Sequence, residues 1–362
     1  MQTLHNTTDS LIGVMKDVMS SIDDVNAALQ QCFKLISDSS EEDIKYFMSN
    51  IFALNSLTDI EKASLATTVC GYLVERGFPS EYILKDTIDL FDTLLTQAKP
   101  FYDMFYAEVR SIEENDENRD EKIQAVFSNL IQDKEVVTPE MYRAVTAIEK
   151  FYPCAISVFS IDKENFYEAR ERLAEKAAYI SRYNQGAYWL NTLFAVLFDE
   201  PVIMIDIDRE VGFEGRINGI VDNYQLQHLL MSLPILNDGK SAISEEDFAV
   251  VNGSGEQSTD RSIESKWNMY NLELCSQPGW DVKVKNQANP ASSIEYRNCW
   301  IWSEGAPADI SFYDGYRVIL LGKPAYSRSS RVQRAFRNLK AGIEVIKPLS
   351  PEEIGKWLNN TI

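Results

Sequence analysis

Pro201-Val202-Ile203-Met204-Ile205-Asp206-Ile207-Asp208-Arg209-Glu210-Val211 is where this chain changes its period. Upstream, apolar residues recur every three or four positions. Here they alternate in a β-rich run, which predicts a strand over Val202–Val211. Alternation sets Ile203, Ile205 and Ile207 on one face and Asp206, Asp208 and Glu210 on the other. Helices before and strands after predict an α+β protein. Residues 1–198 form an all-α domain, a bundle or irregular helical repeat, and residues 199–362 a mixed-sheet α/β-type domain. The length of 362 residues agrees, because a single core stops growing at roughly 250–300.

Working back from Pro201, the helical stripes are Leu11–Ile36, Glu41–Leu54, Ala63–Arg76 and Glu81–Ala98, followed by Lys122–Gln132, Pro139–Phe151, Asn165–Arg182 and Gly186–Phe198. Thr58 with Glu61 reads as a capping box, and Pro100 as the limit of the fourth stripe. No fixed repeat period is present. Working forward, Ile220–Ser232 reads as helix and Asn237–Ser265 as a long polar loop around Asn252-Gly253-Ser254-Gly255. Strand-like runs follow at Lys266–Leu274, Trp280–Lys285, Ser293–Trp302 and Arg317–Leu321, with a hairpin turn at Asp314-Gly315. The tail reads as helix Ser329–Ala341, strand Ile343–Ile346 and helix Pro351–Asn359.

The formal charge is −20, and residues 1–150 alone hold 27 acidic and 13 basic side chains. Such a chain repels nucleic acid and anionic membranes at long range. The most apolar run, Gly186–Phe198, is too short to span a bilayer, which takes about 20 residues. The N-terminus lacks a basic region followed by an apolar one, so a cytoplasmic location is expected. Cys32, Cys70, Cys154, Cys275 and Cys299 are odd in number and lack C-x-x-C spacing, which predicts buried free thiols.

One segment inverts the charge. From Gly315 to Ile343 the chain carries Arg317, Lys323, Arg328, Arg331, Arg334, Arg337 and Lys340 without one Asp or Glu. If Ser329–Ala341 is a helix, its arginines share a broad face near the strand end at Lys323. Lys323, Arg328, Arg331, Arg334 and Arg337 then form a candidate site for a small anionic ligand. The competing explanation is that they pair with the protein's own carboxylates.

Asp206 and Asp208 are the candidate metal residues. A hydrophobic strand ending in D-x-D resembles the Mg²⁺-holding strands of phosphohydrolases and glycosyltransferases. Arg209 and Glu210 stand, however, where a haloacid-dehalogenase-like motif needs a hydroxyl residue. A solvent-facing strand edge explains the carboxylates better, because D-x-D alone is a weak signal. Histidine is nearly absent, so nucleophilic catalysis of the Ser-His-Asp or Cys-His kind would run through His228, which reads as structural. Trp300 and Trp302 alternate on one strand face, as core aromatics or as rings for stacking on bases or sugars. Neither a P-loop nor a G-x-G-x-x-G is present.

With no catalytic set to read, the expectation is a non-catalytic intracellular interaction protein of the adaptor or toxin-neutralising type. It would bind a protein partner, one rich in basic residues, through its acidic helical surface, without a cofactor. The alternative is an enzyme or sensor of a phosphorylated small molecule, with the arginines on the phosphate and Asp206 and Asp208 on Mg²⁺.

Overall fold

The computed structural model describes residues 3–272, 299–324 and 326–359. The chain divides into two compact units, Met1–Phe194 and Ala195–Ile362. The first is helical and the second carries a mixed sheet, an α+β architecture. Among the described residues no helix is long and apolar enough to cross a membrane.

In the first unit the helices are α1 (Leu4–Lys16), α2 (Ile22–Ile36), α3 (Glu41–Phe52), α4 (Ile60–Glu75), α5 (Leu84–Val109), α6 (Arg119–Gln132), α7 (Pro139–Phe159), α8 (Lys163–Ile180) and α9 (Gln185–Phe194). Oxygen side chains satisfy orphan N–H groups at several of their starts. Ser40 caps α3, Asp59 caps α4, Thr138 caps α7 and Asp162 caps α8.

The stripe Leu11–Ile36 is two helices, not one. Ser21 and Asp24 form a reciprocal capping box, with Asp24 Oδ2 accepting from the Ser21 N–H at 2.8 Å, and the chain turns at Asp17–Ser21. The cap of α4 is Asp59 rather than Thr58. Pro100 does not end α5, and Pro153 sits inside α7. Both prolines are exposed, so the carbonyls deprived of a donor face water. The opposite face of α5 buries Phe91, Leu94, Leu95, Phe101, Tyr102 and Phe105. At ~1.5–3 kcal/mol per large buried side chain, that packing outweighs a few kcal/mol for a helical proline.

Helix α7 is the hub and packs against α4, α5 and α9. Two glycines set how closely its neighbours approach. A Cβ on Gly71 of α4 would lie 2.8 Å from Cys154 Cα, and one on Gly186 of α9 would lie 2.2 Å from Ile148 O. Backbone meets backbone at both places, which leaves no room for a methyl group.

The second unit is built on a sheet of order β4-β6-β1-β2-β8, with β5 paired to β6. The strands are β1 (Glu200–Asp206), β2 (Val211–Asn218), β3 (Ser258–Glu264), β4 (Asn268–Asn271), β5 (Phe312–Tyr313), β6 (Tyr316–Gly322), β7 (Ser329–Gln333) and β8 (Gly342–Pro348). β1 runs parallel to β6 and antiparallel to β2. The helices are α10 (Asn223–Ser232), α11 (Glu245–Asn252) and α12 (Pro351–Asn359). One sheet face, with Val202, Met204, Phe213 and Ile319, packs against Leu226, Leu229 and Leu230 of α10. The other, with Ile203, Ile205, Val318 and Leu320, packs against Ile354 of α12. The isoleucine face expected from alternation is therefore in place, covered by the last helix.

Three expectations are corrected here. Val202–Val211 is not one strand: β1 stops at Asp206, residues 207–210 turn, and Val211 opens β2. The loop Asn237–Ser265 contains α11, capped by Ser244 and closed by Gly253 at φ +89°, and then β3. Most consequentially, Ser329–Ala341 is not a helix. Its first five residues are β7, paired antiparallel with β3, and residues 334–341 are irregular. Of the other expected strands, Trp280–Lys285 lies outside the described residues, as does Ser293–Trp302 up to Asn298. Asp314 (φ +51°) and Gly315 (φ +82°) make the expected hairpin turn between β5 and β6.

Cys32, Cys70, Cys154 and Cys299 are buried thiols, and Cys275 lies outside the described residues. Burial pushes the Cys154 thiol up to about 12.

The α7–α9 contact makes a sharp prediction. Gly186→Ala should lower the stability of the helical unit by about 2 kcal/mol or more, because backbone and not a flexible side chain must move. A thermal melt of the full chain reads this as a drop of several degrees in Tm, and an unchanged Tm contradicts the packing.

Candidate functional site

The helical unit presents its carboxylates unevenly. Between Asp9 and Asp43 lie Asp9, Asp17, Asp23, Asp24, Asp38, Glu41, Glu42 and Asp43, against Lys16 and Lys34. Several of their side chains accept from hydroxyls and backbone N–H groups. Asp9 accepts from Tyr46 Oη at 2.7 Å, Asp24 and Asp43 bond the capping serines, and Glu41 accepts from Tyr82 Oη. Among the described residues, none of these eight carboxylates is within ion-pair distance of a Lys or Arg. By contrast, Asp89 and Asp92 of α5 are tied to Arg172 and Lys176 of α8.

At the apex of this acidic region the α1–α2 turn holds out two apolar side chains. Val18 is 91% exposed and Met19 86%. The turn carrying them is pinned: Asp17 Oδ1 accepts from the Met19 N–H at 3.0 Å, and Lys62 Nζ donates to Asp17 O at 2.7 Å. Ile22 continues the apolar surface onto α2. A groove of about 530 Å³ between α2 and α4 follows, lined by Asp23, Ala27, Phe33, Leu65 and Val69. The turn is thus an ordered apolar projection flanked along the chain by Asp17, Asp23 and Asp24.

The cationic segment is used differently. Arg334 is 6% exposed and gives all its bonds to backbone carbonyls: Nη1 to Val250 and Glu256, Nη2 to Gly255 and Arg337, and Nε to Arg337. Burial lowers its pKa, with the charge of Arg337 acting in the same direction. Arg331 donates to Thr259 O and Asp260, and Arg328 to Trp267 O. Arg317 pairs with Glu200 at 2.7 Å, and Lys340 bonds Gly253 O. Lys323 is exposed, and its backbone N–H donates to Asp208. With the expected helix replaced by β7, Arg331, Arg334 and Lys340 bond β3 and the residues around α11, while Arg317 bonds Glu200 and the carbonyls of Ala308 and Ile310.

Asp206 is buried rather than on a solvent-facing edge. Oδ2 accepts from Trp267 Nε1 at 3.0 Å, and Oδ1 from the N–H groups of Asp208 and Arg209. The carboxylate thus caps the β1–β2 turn, and Asp208 tethers Lys323. Among the described residues no cluster of three or more His, Cys, Asp or Glu side chains is arranged to hold a metal.

His228, buried in α10, lies 3.0 Å from Ser330 Oγ through Nε2, while Nδ1 has no hydrogen-bond partner among the described residues. Burial lowers the His228 pKa to about 4, with Asp247 pulling it the other way. Trp302 is 58% exposed, so it is not a core ring. It stacks on Trp300 at 5.3 Å, and the Arg328 guanidinium stands 5.6 Å from the Trp300 ring.

No protein-family model matches this chain, and the comparisons with curated proteins and with solved structures gave no match either.

Two measurements test these assignments. Arg334→Met should destabilise the second unit by about 3 kcal/mol, because four carbonyls lose their donors, whereas Arg331→Ala should leave Tm unchanged. Equal effects contradict the distinction. His228 is neutral in the folded chain down to about pH 4 but takes a proton below about 6.5 when unfolded. The unfolded state therefore binds more protons in that window, and stability falls as the pH drops from about 6.5 to about 4, by about 3 kcal/mol in all. His228→Gln should flatten this part of the pH profile of Tm.

Proposed function

We propose that this chain is a non-catalytic interaction protein whose helical unit docks a basic, apolar segment of a protein partner. The observation that carries the reading is the Val18–Met19 apex standing exposed and pinned among carboxylates that, among the described residues, form no ion pair with a Lys or Arg. Apolar side chains held in water cost free energy that a partner recovers by covering them, about 25 cal/mol per Å². The surrounding negative field steers a cationic partner and speeds encounter more than it deepens affinity. Adaptor and toxin-neutralising roles share this chemistry. An amphipathic helix with lysines or arginines on its rim fits the apex and the adjoining α2–α4 groove.

The test uses a defined probe, a fluorescent amphipathic Lys/Leu peptide titrated into the full chain. Binding should weaken as salt rises from roughly 50 to 300 mM. The double variant Val18→Ser/Met19→Ser should lose about tenfold or more in affinity while keeping its Tm, since both side chains are almost fully exposed. A Glu/Leu peptide of the same pattern should not bind. Equal binding of both peptides, or indifference to the double variant, sinks this reading.

A further inference from the structure

A second feature of the helical unit points to a small molecule. Between the α3–α4 connection, the end of α6 and the start of α7 lies a cleft of about 940 Å³. That is within the usual range of small-molecule sites, roughly 300–1,000 Å³. Ile60, Ile131, Val137 and Tyr142 form its apolar walls, and Lys134 and Arg143 are its charged residues. No carboxylate lines it, although acidic side chains outnumber basic ones two to one in residues 1–150 (27 against 13). Glu135 and Glu140 belong to neighbouring turns but are exposed and outside the lining.

Arg143 is the informative residue. It is half-buried, and burial alone lowers its pKa. Nη1 donates to Leu57 O at 2.8 Å and Nη2 to Asn55 O at 2.5 Å, which fixes the guanidinium against the cleft. Those two bonds leave Nε and one proton on each terminal nitrogen. Among the described residues neither Arg143 nor Lys134 has a carboxylate within ion-pair distance. A desolvated cation without a counter-ion is costly, and this one borders an apolar cavity in a strongly acidic unit.

We infer that this cleft binds an amphiphilic monoanion. An aliphatic or aromatic body lies along Ile60, Ile131, Val137 and Tyr142, and its carboxylate meets the Arg143 fork with Lys134 at the rim. Planar guanidinium geometry favours a carboxylate or a similar oxyanion. A cationic amphiphile finds no carboxylate in the lining and meets Lys134 and Arg143 instead. The same chemistry is available from a free acid or from an anionic lipid surface, and the experiment separates them.

Isothermal titration of the full chain with dodecanoate, below its aggregation concentration, should show saturable one-to-one binding. Dodecyltrimethylammonium should show none, and vesicles of phosphatidylglycerol should not compete. Arg143→Gln should weaken dodecanoate about tenfold or more. If that variant fails to fold because Leu57 O and Asn55 O lose their donor, Lys134→Glu and Tyr142→Ser carry the test. Both change exposed side chains, and each should weaken binding at least about threefold. The inference is overturned by equal binding of the cationic amphiphile, by binding to vesicles alone, by no saturable binding, or by dodecanoate affinity that both Lys134→Glu and Tyr142→Ser leave unchanged.

Discussion

The helical unit depends on backbone-to-backbone contact along α7. Gly71 lets α4 press on Cys154, and Gly186 lets α9 press on Ile148. Along its length α7 buries Ala144, Val145, Ala147, Phe151, Ala155 and Val158. Close packing of this kind is stiff, because a single methyl group has nowhere to go. The stiffness holds the surrounding helix ends in place, including the start of α7 where Arg143 meets the α3–α4 connection.

Charge is distributed by what each unit needs internally. In the second unit arginines replace regular structure as the source of hydrogen bonds for loop carbonyls. The irregular stretch after β7 is held by Arg334, by Gln257 Nε2 bonding the carbonyls of Arg334 and Ala335, and by Lys340 on Gly253 O. A guanidinium with five donors suits a crowded set of carbonyls. In the helical unit the reverse holds near the chain start. Carboxylates cap helices and accept from tyrosines, but their net charge is left for the outside. The proposals for the apex and for the cleft both rest on such uncompensated charge, negative in one case and positive in the other.

Much of the candidate machinery was visible as composition and invisible as geometry. The cationic run from Arg317 to Lys340 was plain, but the three-residue spacing of its arginines suggested a helix. β3 decided otherwise, because Ser262, Ile263 and Glu264 offered Ser329–Arg331 a ladder that local propensity cannot anticipate. Asp206 shows the same limit: D-x-D suggests metal, while Trp267, 61 residues away, supplies the N–H that buries the carboxylate. Val18 falls inside the stripe Leu11–Ile36, which spacing alone makes continuous. The Ser21–Asp24 capping box, present in the sequence, was the signal that a turn precedes it.

What the residues determined unaided is whatever rests on near neighbours: helical stripes over the first half, the change of period at Pro201, the isoleucine face of β1, the Asp314-Gly315 turn and the excess of negative charge. Each follows from the repeat of a helix or strand, from turn dihedrals or from counting. Only the tertiary structure decided that two prolines stay inside helices, that Ser329–Gln333 is a strand, that Arg334 is consumed by carbonyls, and that Val18 and Met19 remain uncovered. Those outcomes depend on partners distant in the chain, whose burial and hydrogen bonds outweigh the small local preferences they oppose.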